Sequence, residues 1–212
     1  MGFWGRAISG LLDALAPPTC AACDAPTTAV FCDGCGAVAP SRGAPSLDGV
    51  PLVVAGGYAT PLSTAIIRFK YAGRPELSRR LARLLVPALR ELELTPGTVL
   101  VPVPLHARRL AKRGYNQAAL LAQELSAGAG LACQPRLLLR TRETERQVGK
   151  ARDERLTNAQ GAFELGKPRA RRVVLVDDVV TTGSTVRACA QTLTKGGVEL
   201  AAVVALAHAV ID

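Results

Sequence analysis

Asp177 and Asp178 stand side by side between an apolar run, Val173-Val174-Leu175-Val176, and a hydroxyl- and glycine-rich loop, Thr181-Thr182-Gly183-Ser184-Thr185. Adjacent carboxylates repel an anion but accept hydrogen bonds well from neighbouring hydroxyls. The loop suits the opposite partner. Backbone N–H groups at a helix start, with the positive end of the helix dipole, make an anion site. Gly183 lets the backbone approach closely, and Thr181, Thr182, Ser184 and Thr185 can add hydroxyl donors. A phosphate on the loop and a vicinal diol on the acids together describe a ribose 5-phosphate.

The flanking elements fit that chemistry. Val173–Val176 is apolar and mostly β-branched, so it reads as a buried parallel strand ending at the acids. Val186, Cys189, Ala190 and Leu193 fall at i, i+3, i+4, i+7 and predict a helix after the loop. In an open α/β sheet, ligands sit at the carboxyl ends of strands. A nucleotide-hydrolase reading of the acids fails, because no G-x-x-x-x-G-K-[ST] occurs in the chain. A receiver-domain acid cluster would sit near the start of its domain, not here.

A second chemical stretch is Pro102-Val-Pro104-Leu105-His106-Ala-Arg108-Arg109-Leu-Ala-Lys112-Arg113, followed by Asn116 and Gln117. Prolines cannot donate to a ladder, so the strand Thr98–Val101 should stop and a rigid loop emerge. Arginine forks pair bidentately with phosphate oxygens, which suits a diphosphate, although a solvated basic turn would look the same. His106 could donate to such an anion or be structural.

Cys20-Ala-Ala-Cys23 and Cys32-Asp-Gly-Cys35 form two C-x-x-C knuckles separated by eight residues. Four thiolates match the tetrahedral preference of Zn²⁺ and leave no open position, so the site reads as structural. Two disulfides would use the same residues. No export signal precedes them: the apolar run Ala7–Ala16 is short and broken by Asp13, so a reducing cytoplasm is expected and zinc is the better reading. Cys133 and Cys189 stand apart from this cluster.

The chain has 212 residues, 26 Lys and Arg against 17 acids, and a net charge of +9, a balance that suits a polyanionic partner. No stretch is apolar enough to span a membrane. Trp4, Ile8, Leu11, Leu12 and Leu15 predict a short amphipathic helix, either packed on the body of the protein or lying on a membrane surface. The Pro-, Gly- and Ser-rich stretch 40–51 reads as a linker between an N-terminal unit, 1–39, and a larger domain, 52–212. In that domain strand and helix signals alternate. Strands are expected at Leu52–Ala55, Arg136–Arg140 and Glu199–Leu206. Helices are expected over Ser63–Tyr71 and over Pro75–Leu92, the latter bent at Pro87. Thr141–Arg155 is almost wholly polar and reads as disordered surface or a mobile lid.

These pieces together resemble the ComF family (ComFC, and GntX within it), competence-associated phosphoribosyltransferase-like proteins. The resemblance runs from Pro17-Pro18 and the four cysteines through Arg68-Phe-Lys-Tyr-Ala-Gly73 and Val101-Pro-Val-Pro-Leu105 to Arg113-Gly-Tyr-Asn-Gln-Ala118. It continues with Thr144, Gln147, Arg152, Arg155, Asn158 and Ala162-Phe163, and closes on the acid–loop motif. Val148-Gly149 stands where members more often show Gly-Leu.

The resemblance implies a type I phosphoribosyltransferase fold, an open and mainly parallel α/β sheet flanked by helices, with a small N-terminal zinc ribbon. It implies binding of 5-phosphoribosyl 1-diphosphate (PRPP) with Mg²⁺. Asp177 and Asp178 would take the ribose hydroxyls, and Thr181, Thr182, Gly183, Ser184 and Thr185 the 5-phosphate. Pro104, Leu105, His106, Arg108 and Arg109 would take the diphosphate. Arg142, Thr144, Gln147 and Arg152 would belong to a flexible flap. Asp177, Asp178, Arg108 and Arg109 would carry any phosphoribosyl transfer, to an acceptor that no residue pattern identifies. Family members are linked to DNA uptake, so a non-catalytic PRPP-responsive adaptor for single-stranded DNA or competence proteins is the second expectation. Such a protein would be cytoplasmic, free or peripheral to the inner face of the membrane.

Overall fold

The computed structural model describes residues 18–38, 46–142, 161–167 and 170–209. The helix expected within residues 1–16, linker residues 40–45 and charged residues 143–155 lie outside them. One sheet contains, in spatial order, β1 (Ser46–Leu47), β2 (Val50–Gly57), β8 (Glu199–His208), β7 (Arg172–Val180), β3 (Val99–Pro102) and β4 (Ala132–Cys133). All neighbours in it are parallel except β1, which is antiparallel to β2. β5 (Leu138–Arg140) and β6 (Phe163–Leu165) pair antiparallel in a separate two-stranded sheet. The helices are α1 (Leu62–Tyr71), α2 (Leu77–Ala82), α3 (Val86–Glu91), α4 (Ala107–Arg113), α5 (Gln117–Ala129) and α6 (Ser184–Lys195).

The apolar run read as a buried parallel strand lies inside the sheet, between β8 and β3. Val173, Val174, Leu175 and Val176 are all fully buried, as expected of a strand covered on both faces. Alternate residues serve two cores. Val174 and Val176 pack with α1, α2 and α5, including Ile66, Leu81 and Leu121. Val173 and Leu175 pack with α6 and the small sheet, including Cys189, Leu138 and Phe163.

Four local expectations are corrected. β7 does not end at the acids but runs on to Val180, because β8 is long enough to pair Asp177 with Ala205 and Val180 with His208. The single bent helix over Pro75–Leu92 is two helices, α2 and α3. Pro87 sits in the first turn of α3, where its missing N–H costs little, while Leu77, Leu81, Leu85 and Leu89 keep one buried stripe. The end of the presumed linker is a hairpin. Asp48 and Gly49, both with positive φ (54° and 83°), turn β1 into β2, as an Asp-Gly pair favours. Finally, the basic stretch after Pro104 is not a loop throughout, since α4 begins at Ala107.

The four-cysteine segment shares the core of the larger domain. Cys20, Ala21 and Phe31 are buried with Leu62, Ile66, Phe69 and Leu77. Arg68 donates to the Ala21 carbonyl at 3.0 Å and pairs with Asp24, which Arg74 also grips at 3.1 Å. Among the described residues, no helix is long and apolar enough to cross a membrane.

Candidate functional site

The chain leaves β3 through α5 to reach β4 on one side, and leaves β7 through α6 to reach β8 on the other. α5 packs on one face of the sheet and α6 on the opposite face. A crevice therefore opens between the carboxyl ends of the neighbouring strands β3 and β7, the position where open α/β sheets collect ligands. Two of the three stretches singled out for chemistry meet there. The Val103 N–H donates to the Val176 carbonyl at 2.8 Å, which sets the start of the Val103–His106 loop beside Asp177 and Asp178.

The hydroxyl-rich loop caps the crevice. Gly183 takes a left-handed conformation (φ 75°) and starts α6. The first bond of that helix runs from Arg187 N–H to the Gly183 carbonyl at 2.8 Å. Among the described residues, the backbone N–H groups of Thr182 to Val186 donate to no protein group, as at a helix end awaiting an acceptor. Glycine suits 183 because of this left-handed φ, and a Cβ there would also come within 2.6 Å of the end of the Leu47 side chain in the β1–β2 hairpin, which would have to shift. Arg187 ties the two together, donating to the Thr182 carbonyl at 2.6 Å and to Asp48 at 2.7 Å.

The acids are not equivalent. Alternation along β7 sends them to opposite faces. Asp178 meets the ammonium of Lys70, from the last turn of α1, at 2.8 Å, with both side chains only 12–13% exposed. Asp177 feels the charge of Arg140 from β5 and shares its side of the sheet with Cys189. The Asp178 N–H donates to Asp177 Oδ1 at 2.8 Å and links the pair. Burial first, then the charge of Asp178, push the Asp177 carboxyl up to about 7, against the pull of Lys70 and Arg140.

A stability consequence follows from that shift. An unfolded aspartate titrates near pH 3.9, so between that pH and about 7 the folded chain holds a proton that the unfolded chain has lost. Stability from this group is complete at low pH and is lost as pH rises through 7. Thermal melts should show the wild type losing more stability between pH 5 and pH 8 than Asp177→Asn. Parallel curves for the two proteins would remove the effect.

The cation cluster is arranged by a different logic. His106 caps α4 by accepting the Arg108 N–H on Nδ1 at 3.3 Å, so that nitrogen has a structural task. Arg108 and Arg109 follow in the first turn of a helix that buries none of its residues. Arg113 lies over the Tyr71 ring at 5.1 Å and donates to Gln117 at 2.7 Å. Asn116 caps α5 and donates to the Val103 carbonyl at 3.0 Å, while Tyr115 and Gln117 both reach the Phe69 carbonyl. Arg113 to Gln117 thus braces the crevice from behind. Of the expected flap, Arg142 follows β5, whereas Thr144, Gln147 and Arg152 lie outside the described residues.

Comparison with known proteins agrees with this fold. Residues 110–210 match the family described as the phosphoribosyl transferase domain, a span that takes in α5, β7, the loop, α6 and β8. Competence protein F of Haemophilus influenzae is 40% identical over 74% of this chain and 72% of its own length. This chain belongs to the ComF family. Its relatives include DNA utilization protein YhgH of Escherichia coli, 40% identical over 69% of this chain and 66% of that protein. Competence protein ComFC of Bacillus subtilis is 30% identical, and 56% of its length is covered.

The ComF chain carries a second constellation away from the crevice. The sulfur atoms of Cys20, Cys23, Cys32 and Cys35 all lie within 4.8 Å of one another, and none is in a disulfide. A tetrahedral metal thiolate has M–S bonds of about 2.3 Å, so its sulfurs sit roughly 3.8 Å apart. Cys23 and Cys32 are 3.6 Å apart. Tight turns hold each knuckle, with Asp24 N–H bonded to the Cys20 carbonyl at 3.1 Å and Cys35 N–H to the Cys32 carbonyl at 3.0 Å. Burial opposes ionisation of Cys20, yet amides of Cys32, Ala22 and Cys23 on its sulfur bring it down to about 6. Cys35 is pushed up to about 12 by its contacts with Cys23 and Cys32. One thiolate suppressing the next is the electrostatic state a bound dication relieves, so the donor set fits a metal ion.

Lys70 and Arg140 went unassigned at the sequence level. Lys70 carries a signal, a cation between Phe69 and Tyr71 at a helix end, but nothing local says that it meets Asp178.

Proposed function

We propose that this chain binds PRPP and transfers its phosphoribosyl group to an acceptor not yet identified. The observation that carries the reading is the crevice itself, where the strand bearing the two acids runs into a helix-start loop whose amides, among the described residues, have no protein acceptor. The 5-phosphate would sit on Thr181–Thr185 and the ribose hydroxyls on Asp177 and Asp178. Diphosphate would lie along Pro104–Arg109, where Arg108 and Arg109 neutralise it as the C1–O bond breaks and the acceptor forms the new bond at C1. Positive charge develops on the sugar as the leaving group departs, as in glycoside cleavage. Mg²⁺ bound with PRPP would supply further neutralisation of the leaving diphosphate. The segment containing Arg142, Thr144, Gln147 and Arg152 is proposed as the flap that keeps water from C1.

Zn²⁺ is the ion proposed for Cys20, Cys23, Cys32 and Cys35. Four protein ligands leave no open position, so its task would be structural. The names of the relatives, competence proteins and a DNA utilization protein, support a link to DNA uptake, and a cytoplasmic setting is proposed with it.

A second reading is a PRPP-responsive adaptor that does not turn over. It is favoured by α4, where Lys112 is exposed and Arg113 stacks on Tyr71, itself 59% exposed. An aromatic face beside cations is the pairing that holds single-stranded nucleic acid. Diphosphate release from PRPP, assayed with Mg²⁺ against bases, amines and oligonucleotides, separates the two. Release that depends on one acceptor is the expected result. Tight PRPP binding without release, with salt-sensitive binding to single-stranded DNA, would favour the adaptor.

A further inference from the structure

We propose that Lys70 is the positioning residue of the acid pair, holding Asp178 in the one orientation that leaves each carboxylate a single oxygen for the sugar. The proposal rests on the ribose-binding reading above and names the residue that sets it. Asp177 spends Oδ1 on the Asp178 N–H, and Asp178 spends Oδ1 on the Lys70 ammonium. Among the described residues, neither Oδ2 has a protein hydrogen-bond donor. Two open acceptors match the two hydroxyls of a ribose diol.

Lys70 reaches Asp178 because its neighbours are fixed. Arg68 is held by the Ala21 carbonyl and Asp24 of the cysteine segment. Phe69 is fully buried, and its carbonyl takes bonds from Tyr115 and Gln117 at the start of α5. Gly73, with φ 65°, turns the chain away just beyond. The last turn of α1 is thus clamped on both sides, and the ammonium between the clamps is delivered to one oxygen.

Charge adds a second task. Among the described residues, the charged groups that act on Asp177 are Asp178 on β7, Lys70 on α1 and Arg140 on β5, and the Cys189 thiol on α6 feels its charge. Like charges this close resist joint ionisation, and Lys70 is the cation in contact with the pair. Without it the pair should keep its proton to higher pH and lose an acceptor over that range, so the two tasks make one testable signature.

The test compares wild type, Lys70→Met and Lys70→Arg by carbon-detected NMR titration of the aspartate carboxylates and by calorimetry with PRPP and Mg²⁺ from pH 6 to 8.5. Lys70→Met should raise the carboxylate titration by about one pH unit or more. It should weaken PRPP about 10- to 100-fold at pH 7, with partial recovery at pH 8.5. Lys70→Arg should restore both, which separates the charge from mere packing, and it remains informative if the Met variant does not fold. An unmoved carboxylate titration, or equal PRPP affinity of wild type and Lys70→Met across the range, would overturn the proposal. If wild type binds no PRPP, the sugar reading falls, while the ligand-free titration still decides whether Lys70 holds the pair.

Discussion

Asp177→Asn with Asp178→Asn should abolish PRPP binding while the protein stays folded. Each substitution is isosteric, and the amide still accepts from the Asp178 N–H and from Lys70, so the two internal bonds survive in weaker form. What disappears is the second oxygen of each group: an NH2 stands in its place, which donates and cannot accept from the sugar, and the charge goes with it. A hydrogen bond to a charged group contributes about 1.5–3 kcal/mol, so losing two should weaken binding by roughly two to four orders of magnitude. Asp177→Asn removes the cost of ionising a buried carboxyl while Asp178→Asn leaves the Lys70 ammonium against a neutral group, so the two changes oppose and the double variant should stay folded. Calorimetry with Mg²⁺ reads the first effect and denaturant unfolding the second. Unchanged affinity in a folded double variant would remove the diol role and, with it, the reason for placing the sugar in this crevice.

Cys20→Ser with Cys32→Ser should remove the metal and destabilise the whole domain, not only the N-terminal segment. Cys20 lies in the same core as Leu62, Ile66 and Phe69, and Arg68, Arg74 and Arg80 all reach across to residues 21–29. Metal binding to a structural site is folding free energy, with apparent values of about 10–16 kcal/mol in small zinc peptides. A larger body retains part of its core without the ion, so the expected result is a large fall in melting temperature. Metal analysis should find about one zinc per chain in wild type and close to none in the double variant. A secondary effect should appear at the crevice, because loss of the Ala21 and Asp24 anchors loosens the helix end that presents Lys70. A metal-free wild type that melts at the same temperature as the loaded protein would contradict this account.

These two experiments address parts of the molecule that differ in how they are encoded. The crevice loop was legible because each of its requirements is local. A β-branched run predicts a buried strand, glycine permits the left-handed turn at 183, and four hydroxyl residues surround it. The cysteine knuckles were legible for the same reason, since the chelate geometry is set by a spacing of three. The helical signal over Pro75–Leu92 was also visible, although its division into two helices was not. Periodicity records which face is buried but not whether the backbone breaks between turns.

What the chain alone determined is the inventory: two acids, an anion-binding loop, a run of arginines, four thiols and the strands and helices that carry them. The fold alone decided who meets whom. It brought Lys70 from a distant helix end onto Asp178, divided the acids between two faces of one strand, and turned His106 into a helix cap. It also joined the cysteine segment to the core under α1. The reason is physical. Local signals act through backbone sterics and hydrogen bonds over a few residues, whereas ion pairs and shared cores depend on how whole layers stack, and no stretch of sequence records its partner across the sheet.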